Sequence, residues 1–276
     1  MSRPQVHALF DRDTSTLTYV VWDEVTRDAV VIDSVVDFDP TTQIVSERGL
    51  GQLERFVADK KLHVHWILET HAHADHLTGG RELKRHWPGA LWGMGRAMTV
   101  VFENFRKVFA WPDRLKLDQL GVDRWFADGE EFTAGSLRLQ ALSTPGHTPA
   151  CMTYLIGENL FTGDAIFMPD SGTGRCDFPG GSASQLYDSI WSKLYTYPEH
   201  YRIFVGHDYQ PGGRPLRYQT TVGEQRAKNI QLKQSTARDE FVRFREARDK
   251  TLAAPRLLGP SLDWNLGAHQ MVPVVP

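Results

Sequence analysis

The sequence predicts a layered α/β fold, and three observations carry that expectation. Short apolar runs alternate with longer stretches of helical periodicity, the pattern of strands interleaved with helices. Residue types that ligate metals recur just past those apolar runs, where layered folds place functional loops. The chain has 276 residues, enough for one large core, and no Ser/Gly linker divides it. One domain over residues 1–276 is therefore expected, with a helical C-terminal extension from about residue 216.

Taken in order, Thr16–Trp22 and Ala29–Asp33 are rich in β-branched and aromatic residues and read as an antiparallel hairpin. Ile44, Leu50, Leu53, Phe56 and Val57 recur at near-helical spacing, which predicts a helix ending near Lys60-Lys61. His63–Leu68 is a short buried strand. A helix over Gly79–His86, a strand over Ala90–Met94 and an amphipathic helix over Ala97–Val108 follow, the last broken by Trp111-Pro112-Asp113. Leu137–Leu142 alternates with period two, so one face is wet; Met152–Ile156, Leu160–Thr162 and Arg202–Val205 are further strands. Ser182 is placed as a helix N-cap. Val222–Lys233 and Glu240–Leu252 read as charged amphipathic helices, and the Pro-rich remainder as irregular chain.

Bulk properties narrow the function classes. Hydrophobic residues at 41% and charged residues at 24% suit a soluble globular protein. A net charge of −3 lacks the basic excess that nucleic acid or an anionic membrane calls for. No apolar segment is long enough to span a membrane, and the first fifteen residues carry no signal-like stretch. Two cysteines, Cys151 and Cys176, do not make a disulfide framework, so reduced thiols and a cytoplasmic location are expected.

The chemistry is concentrated in Thr70-His71-Ala72-His73-Ala74-Asp75-His76, which follows an apolar strand directly. Imidazole nitrogen and carboxylate oxygen are the usual ligands of zinc and non-haem iron. On a strand-to-helix turn, His71 and His73 can point to one side while Asp75 and His76 reach another. Three imidazoles and a carboxylate in one short loop are hard to explain as incidental. His147, in Thr144-Pro145-Gly146-His147-Thr148-Pro149, sits on a rigid turn. Asp164 in Thr162-Gly163-Asp164 and His207 in Val205-Gly206-His207 lie just past strands. Each is weak alone, but together they repeat strand, small residue, ligand. His7, His63, His65, His86, His200 and His269 lack this context and read as surface or structural histidines.

In this order, the seven residues resemble the HxHxDH loop and later His, Asp and His of the metallo-β-lactamase fold superfamily, over roughly residues 15 to 210. That resemblance implies a four-layer αβ/βα sandwich with metal at one edge. Within it, Leu68–Gly80, Gly172-Thr173-Gly174-Arg175-Cys176-Asp177-Phe178 and Gly206-His207-Asp208-Tyr209 look like the persulfide (sulfur) dioxygenases. The narrower resemblance implies one Fe(II) per chain held by His71, His147 and Asp164 as metal and catalytic residues. His73, Asp75, His76 and His207 then form an outer shell, or a second metal position. It also implies oxidation of glutathione persulfide by O2 to sulfite and glutathione. Members often carry Thr where this chain has Cys176, and the stretch from about Leu216 to Pro276 exceeds the compact ones.

A two-His-one-carboxylate face leaves open metal positions for both reactants, and outer groups fix ring orientation and tautomer. Arg175, Arg214 and Tyr209 flank the metal loops and are candidates for glutathione's charged groups; Cys176 is either a substrate contact or a small packed residue. No nucleic-acid or membrane partner is expected, and a homodimer is open. Two other readings share the ligand set. A glyoxalase-II-like thioester hydrolase would use all seven residues for two metals, typically zinc, with Asp164 bridging. A metal-binding or redox-sensing module would bind without turnover.

Overall fold

Seven consecutive residues, Thr16–Trp22, are buried along their whole length, so the strand they form is covered on both faces. Leu17, Tyr19 and Val21 point into one core with Val30, Ile32 and Leu68, while Val20 and Trp22 point into a second with Val31 and Ile67. This period-two split sets up the layers. The structure, a computed structural model, describes residues 3–267 and the backbone of Val274 and Val275; His269 lies outside the described residues.

In chain order the first elements are β1 (Gln5–Asp11), β2 (Thr16–Trp22), β3 (Asp28–Ile32), β4 (Val35–Asp39), β5 (Ile44–Ser46), α1 (Arg48–Asp59) and β6 (His63–Leu68). Next come β7 (Leu77–Thr78), α2 (Gly80–His86), β8 (Leu91–Gly95), α3 (Met98–Val108), β9 (Arg124–Phe126), β10 (Glu130–Ala134) and β11 (Leu137–Ser143). Then follow β12 (Met152–Ile156), β13 (Asn159–Phe161), α4 (Ala183–Ser189), β14 (Arg202–Phe204), β15 (Gln219–Thr221), α5 (Val222–Lys228), α6 (Arg238–Asp249), α7 (Leu258–Asn265) and β16 (Val274–Val275).

One six-stranded sheet has the order β1-β2-β3-β6-β8-β9, and the other runs β10 to β15 in sequence order. Leu50 and Leu53 of α1, Leu83 of α2 and Val101 and Phe105 of α3 cover the outer face of the first sheet. The core between the sheets continues to Leu186 of α4 and Phe241 of α6. Helix, sheet, sheet and helix thus stack in the expected αβ/βα order. Each fully buried Leu or Phe contributes about 1.5–3 kcal/mol, so both cores are needed.

Most predicted elements fall where expected. Ser182 accepts a hydrogen bond from Gln185 N, as an N-cap does. Three differences have physical causes. Ile44 belongs to β5 and not to the helix, because Asp39 and its turn send the chain back as a hairpin. The helix beginning at Val222 stops at Lys228, because the Asn229 side chain accepts from Gln231 N and Leu232 N instead of letting the helix continue. The stretch expected to be irregular contains α7; Pro260 falls in its first turn, where a missing N–H costs nothing.

The strands matter because of where they stop. β13 and β14 run parallel and end together, and β6 ends beside them on the facing sheet. Gly206 N donates to Gly163 O at 3.0 Å, Thr162 N to Phe204 O at 3.0 Å, and Met152 N to Thr70 O at 2.8 Å. These bonds tie the loops carrying His71, His147, Asp164 and His207 into one edge. Two glycines permit the approach. Gly163 has φ of +49°, and a Cβ there would meet Thr70 Oγ1; a Cβ on Gly206 would meet Asp164 Oδ1.

Candidate metal centre

His71, His147 and Asp164 each offer one atom to a group whose members all lie within 4.8 Å of one another. His147 Nε2 is 3.6 Å from Asp164 Oδ2, and His71 Nε2 is 4.0 Å from it. These separations are too long for hydrogen bonds and short enough to converge on one point. All three residues are buried.

The hydrogen-bond network assigns the ring tautomers. Thr70 Oγ1 donates to Asp33 Oδ2 at 2.8 Å, so His71 Nδ1–H must donate to Thr70 Oγ1 at 2.9 Å. That leaves His71 Nε2 with a bare lone pair. His147 Nδ1–H donates to Arg175 O at 2.6 Å, with the same result at its Nε2. Burial first, and then the neighbouring imidazoles of His73 and His147, hold His71 well below the usual histidine value. It is neutral at physiological pH, as a ligand must be.

Two atoms of this trio, His71 Nε2 and Asp164 Oδ1, are buried without a hydrogen-bond partner, as is His76 Nε2 nearby. Each such group costs about 1–3 kcal/mol. A divalent cation among His71, His147 and Asp164 would satisfy the two orphaned atoms of the trio, so the donor set fits a metal ion of the zinc or non-haem iron type.

The remaining ligand-type residues surround this trio in a different way. His73, Asp75 and His76 form a second close group. His73 Nε2 faces two buried carboxylates, Asp33 Oδ1 at 3.2 Å and Glu69 Oε2 at 3.5 Å. Burial opposes a charge on His73, but these carboxylates outweigh it and raise its pKa well above the usual value. His207 Nε2 lies 3.4 Å from both Asp75 Oδ2 and Asp164 Oδ1. Burial works against His207 as well, yet Asp164 and Asp75 raise it. The structure therefore brings all seven predicted residues to one edge, and among the described residues His71, His147 and Asp164 are the close group that contains Asp164.

A cavity of about 420 Å³ opens onto this edge, lined by Asp75, His147 and Asp164 and walled by Phe167, Phe178 and Tyr209. Of the predicted substrate contacts, Tyr209 and Arg175 reach it. Arg175 is already occupied: its fork grips Asp177 at 2.6 Å and its Nη1 donates to Ala253 O at 2.7 Å. Arg214 does not line the cavity: Asp170 and Asp208 clamp its guanidinium. Of the two alternatives for Cys176, the structure has the small packed residue: it lies off the cavity wall, with its backbone N donating to Asp249 Oδ2 at 2.8 Å. Both thiols are free and buried, and burial pushes Cys151 up to about 12. The other histidines sit elsewhere: His65 bonds Asp28 at 2.6 Å and His7 stacks on Phe56.

The C-terminal extension supplies residues that sequence reasoning missed. Arg245 and Asp249 of α6 form a buried pair that holds Thr173 O and Cys176 N, and so fixes the loop whose Arg175 carbonyl orients His147. Asn265 of α7 donates to His73 O at 2.8 Å and His76 O at 2.9 Å, and accepts from Thr78 N at 2.7 Å. One buried amide therefore clamps the whole histidine loop. Asn265→Ala strands three buried backbone groups and is expected to destabilise the fold by roughly 2–4 kcal/mol. Chemical denaturation checks this; a loss under about 0.5 kcal/mol, the level of an ordinary surface change, would mean the clamp carries nothing.

Comparison with known proteins agrees with this geometry. Residues 11–207 match the metallo-beta-lactamase superfamily profile. The chain is 38% identical to "Glyoxylase B2" of Dictyostelium discoideum over 99% of its own length and 93% of that protein. It is 42% identical to the "Beta-lactamase hydrolase-like protein" of Xylella fastidiosa strain 9a5c over 95% of its length, spanning 60% of that longer protein. It is 32% identical to human "Persulfide dioxygenase ETHE1, mitochondrial" over 86% of its length and 78% of that protein. The crystal structure of ETHE1 from Myxococcus xanthus superposes with a TM-score of 0.76 at 30% identity, covering 96% of this chain and 99% of that one. With a layered fold, a buried histidine–aspartate edge and a profile match over most of its length, the chain belongs to the metallo-beta-lactamase superfamily.

Proposed function

We propose that this chain is an Fe(II)-dependent persulfide dioxygenase acting on glutathione persulfide. One persulfide, one O2 and one water give glutathione, sulfite and two protons; the S–S bond breaks and the terminal sulfur is oxidised as O2 is reduced. The observation that carries the reading is the trio itself. His71 Nε2 and His147 Nε2 face Asp164, while His73 directs its Nε2 at Asp33 and Glu69 and keeps only its Nδ1 unpartnered. Two imidazoles and one carboxylate are the donor set of non-haem iron oxygenases. Iron bound there would supply the redox steps that let O2 react with a sulfur nucleophile.

The chain's own residues do the rest. Asp164 carries the negative charge that offsets a dication, and the Arg175 carbonyl and Thr70 hydroxyl hold the two rings in the ligating tautomer. Phe167, Phe178 and Tyr209 give the cavity apolar walls that limit water around a reactive sulfur. No helix among the described residues is long and apolar enough to cross a membrane. A reducing, glutathione-containing compartment such as the cytoplasm fits the two free thiols.

A second reading has its own support. His73, Asp75 and His76 are close enough for another ion, His76 Nε2 is unpartnered, and one relative is named a glyoxylase. A dinuclear thioester hydrolase would use that position. Assays on one preparation separate the two. The dioxygenase reading expects O2 uptake and sulfite in equal amounts from glutathione persulfide, with little cleavage of S-lactoylglutathione. Thioester cleavage without O2 uptake on the persulfide would replace it with the hydrolase.

A further inference from the structure

The C-terminal extension places three arginines, Arg245, Arg248 and Arg256, on the wall of the cavity that holds the histidine–aspartate edge. Their states differ. Arg245 is buried and neutralised by Asp249 at 2.5 Å. Arg248 is exposed and its side chain donates to the Thr251 hydroxyl at 3.3 Å, and Arg256 is exposed with neither an ion pair nor a hydrogen bond among the described residues. Among the described residues, no carboxylate lies within ion-pair reach of either exposed guanidinium. Asp13 shares the wall and does not pair with them.

This departs from how the protein treats its other arginines near the site. Arg175 is matched by Asp177, and Arg214 by Asp170 and Asp208. Two guanidinium groups on one cavity wall are thus left without a carboxylate partner among the described residues. Guanidinium forks suit carboxylates, which they bind in a bidentate manner. Both residues lie beyond residues 11–207, the part shared across the superfamily. Variation in this segment would change which substrates enter while leaving the chemistry at the metal loops untouched.

We propose that Arg248 and Arg256 form an anion subsite that binds the carboxylate groups of the substrate, remote from its reacting sulfur, and that they select carboxylate-bearing thiol derivatives over neutral ones. The proposal rests on reading this cavity as the persulfide site and names the residues that recognise the substrate's tail. Arg175 is left as a positioning residue for His147, through its backbone carbonyl.

The test is equilibrium binding by calorimetry to the metal-loaded protein, with S-methylglutathione and its carboxyl diester as probes. Neither needs turnover. Arg248→Gln and Arg256→Gln are each expected to weaken S-methylglutathione binding by about tenfold, the scale of one charge-assisted contact, with a larger loss in the double variant. Affinity for the diester should stay the same in all four proteins. The proposal is overturned if the double variant binds S-methylglutathione like the wild type, if it loses the diester equally, or if the wild type binds no S-methylglutathione. O2 uptake with glutathione persulfide in the same preparations separates the two readings. Wild-type protein that binds S-methylglutathione through these arginines yet consumes no O2 overturns the dioxygenase and leaves the subsite standing.

Discussion

Asp164→Ala is expected to lose iron and O2 consumption together while remaining folded. The carboxylate is the only anionic member of the trio, and its Oδ2 lies 3.6 Å from His147 Nε2 and 4.0 Å from His71 Nε2. Without it, two imidazoles face the ion with no negative charge to offset a dication. The loss should exceed the 10 to 100-fold that an outer partner typically costs. Folding should survive because the loop is held by its backbone: Gly206 N donates to Gly163 O, and Thr162 N to Phe204 O. Asp164→Asn keeps the shape without the charge and should also lose metal. Metal content and oxygen-electrode traces on folded variants check this. Full iron and activity in Asp164→Ala would remove the residue from the ligand set.

The second large effect separates one metal from two. His76 is buried, its Nε2 has no partner, and its Nδ1 lies 3.4 Å from Asp75 Oδ2 and 3.3 Å from the Thr16 hydroxyl. In a mononuclear dioxygenase His76 supports its neighbours, so His76→Ala should keep the iron and slow turnover by about 10 to 100-fold. In a dinuclear hydrolase it is a ligand, and the same change should release one of two ions. Metal counts before and after the substitution read the difference directly. A drop from two ions to one would overturn the single-iron assignment.

The sequence made the core of the site legible because the chemistry there is local. His71, His73, Asp75 and His76 share one loop, and Gly146-His147, Gly163-Asp164 and Gly206-His207 repeat one local pattern at strand ends. The strands were legible for the same reason: β-branched runs such as Thr16–Trp22 carry their own signal. What was not legible depends on distant partners. Arg175 and Arg214 have the side chains expected of substrate contacts, but only the fold shows Asp177, Asp170 and Asp208 engaging them. Asn265 is an ordinary residue in a Pro-rich tail until α7 lays it against a loop nearly two hundred residues earlier. A signal did exist in α6, where Arg245 and Arg248 stand three apart and so share one helix face. Strand β1 carries little signal of its own, because Gln5–Asp11 is half-buried and mixed in polarity, the mark of an edge strand.

The central claim is that His71, His147 and Asp164 hold a single ferrous ion. Elemental analysis of protein purified without oxygen tests it most directly. The expected result is about one iron per chain, lost with Asp164→Ala and retained with His76→Ala. Two zinc ions per chain, with thioester cleavage and no O2 uptake, would keep the fold and contradict the reaction.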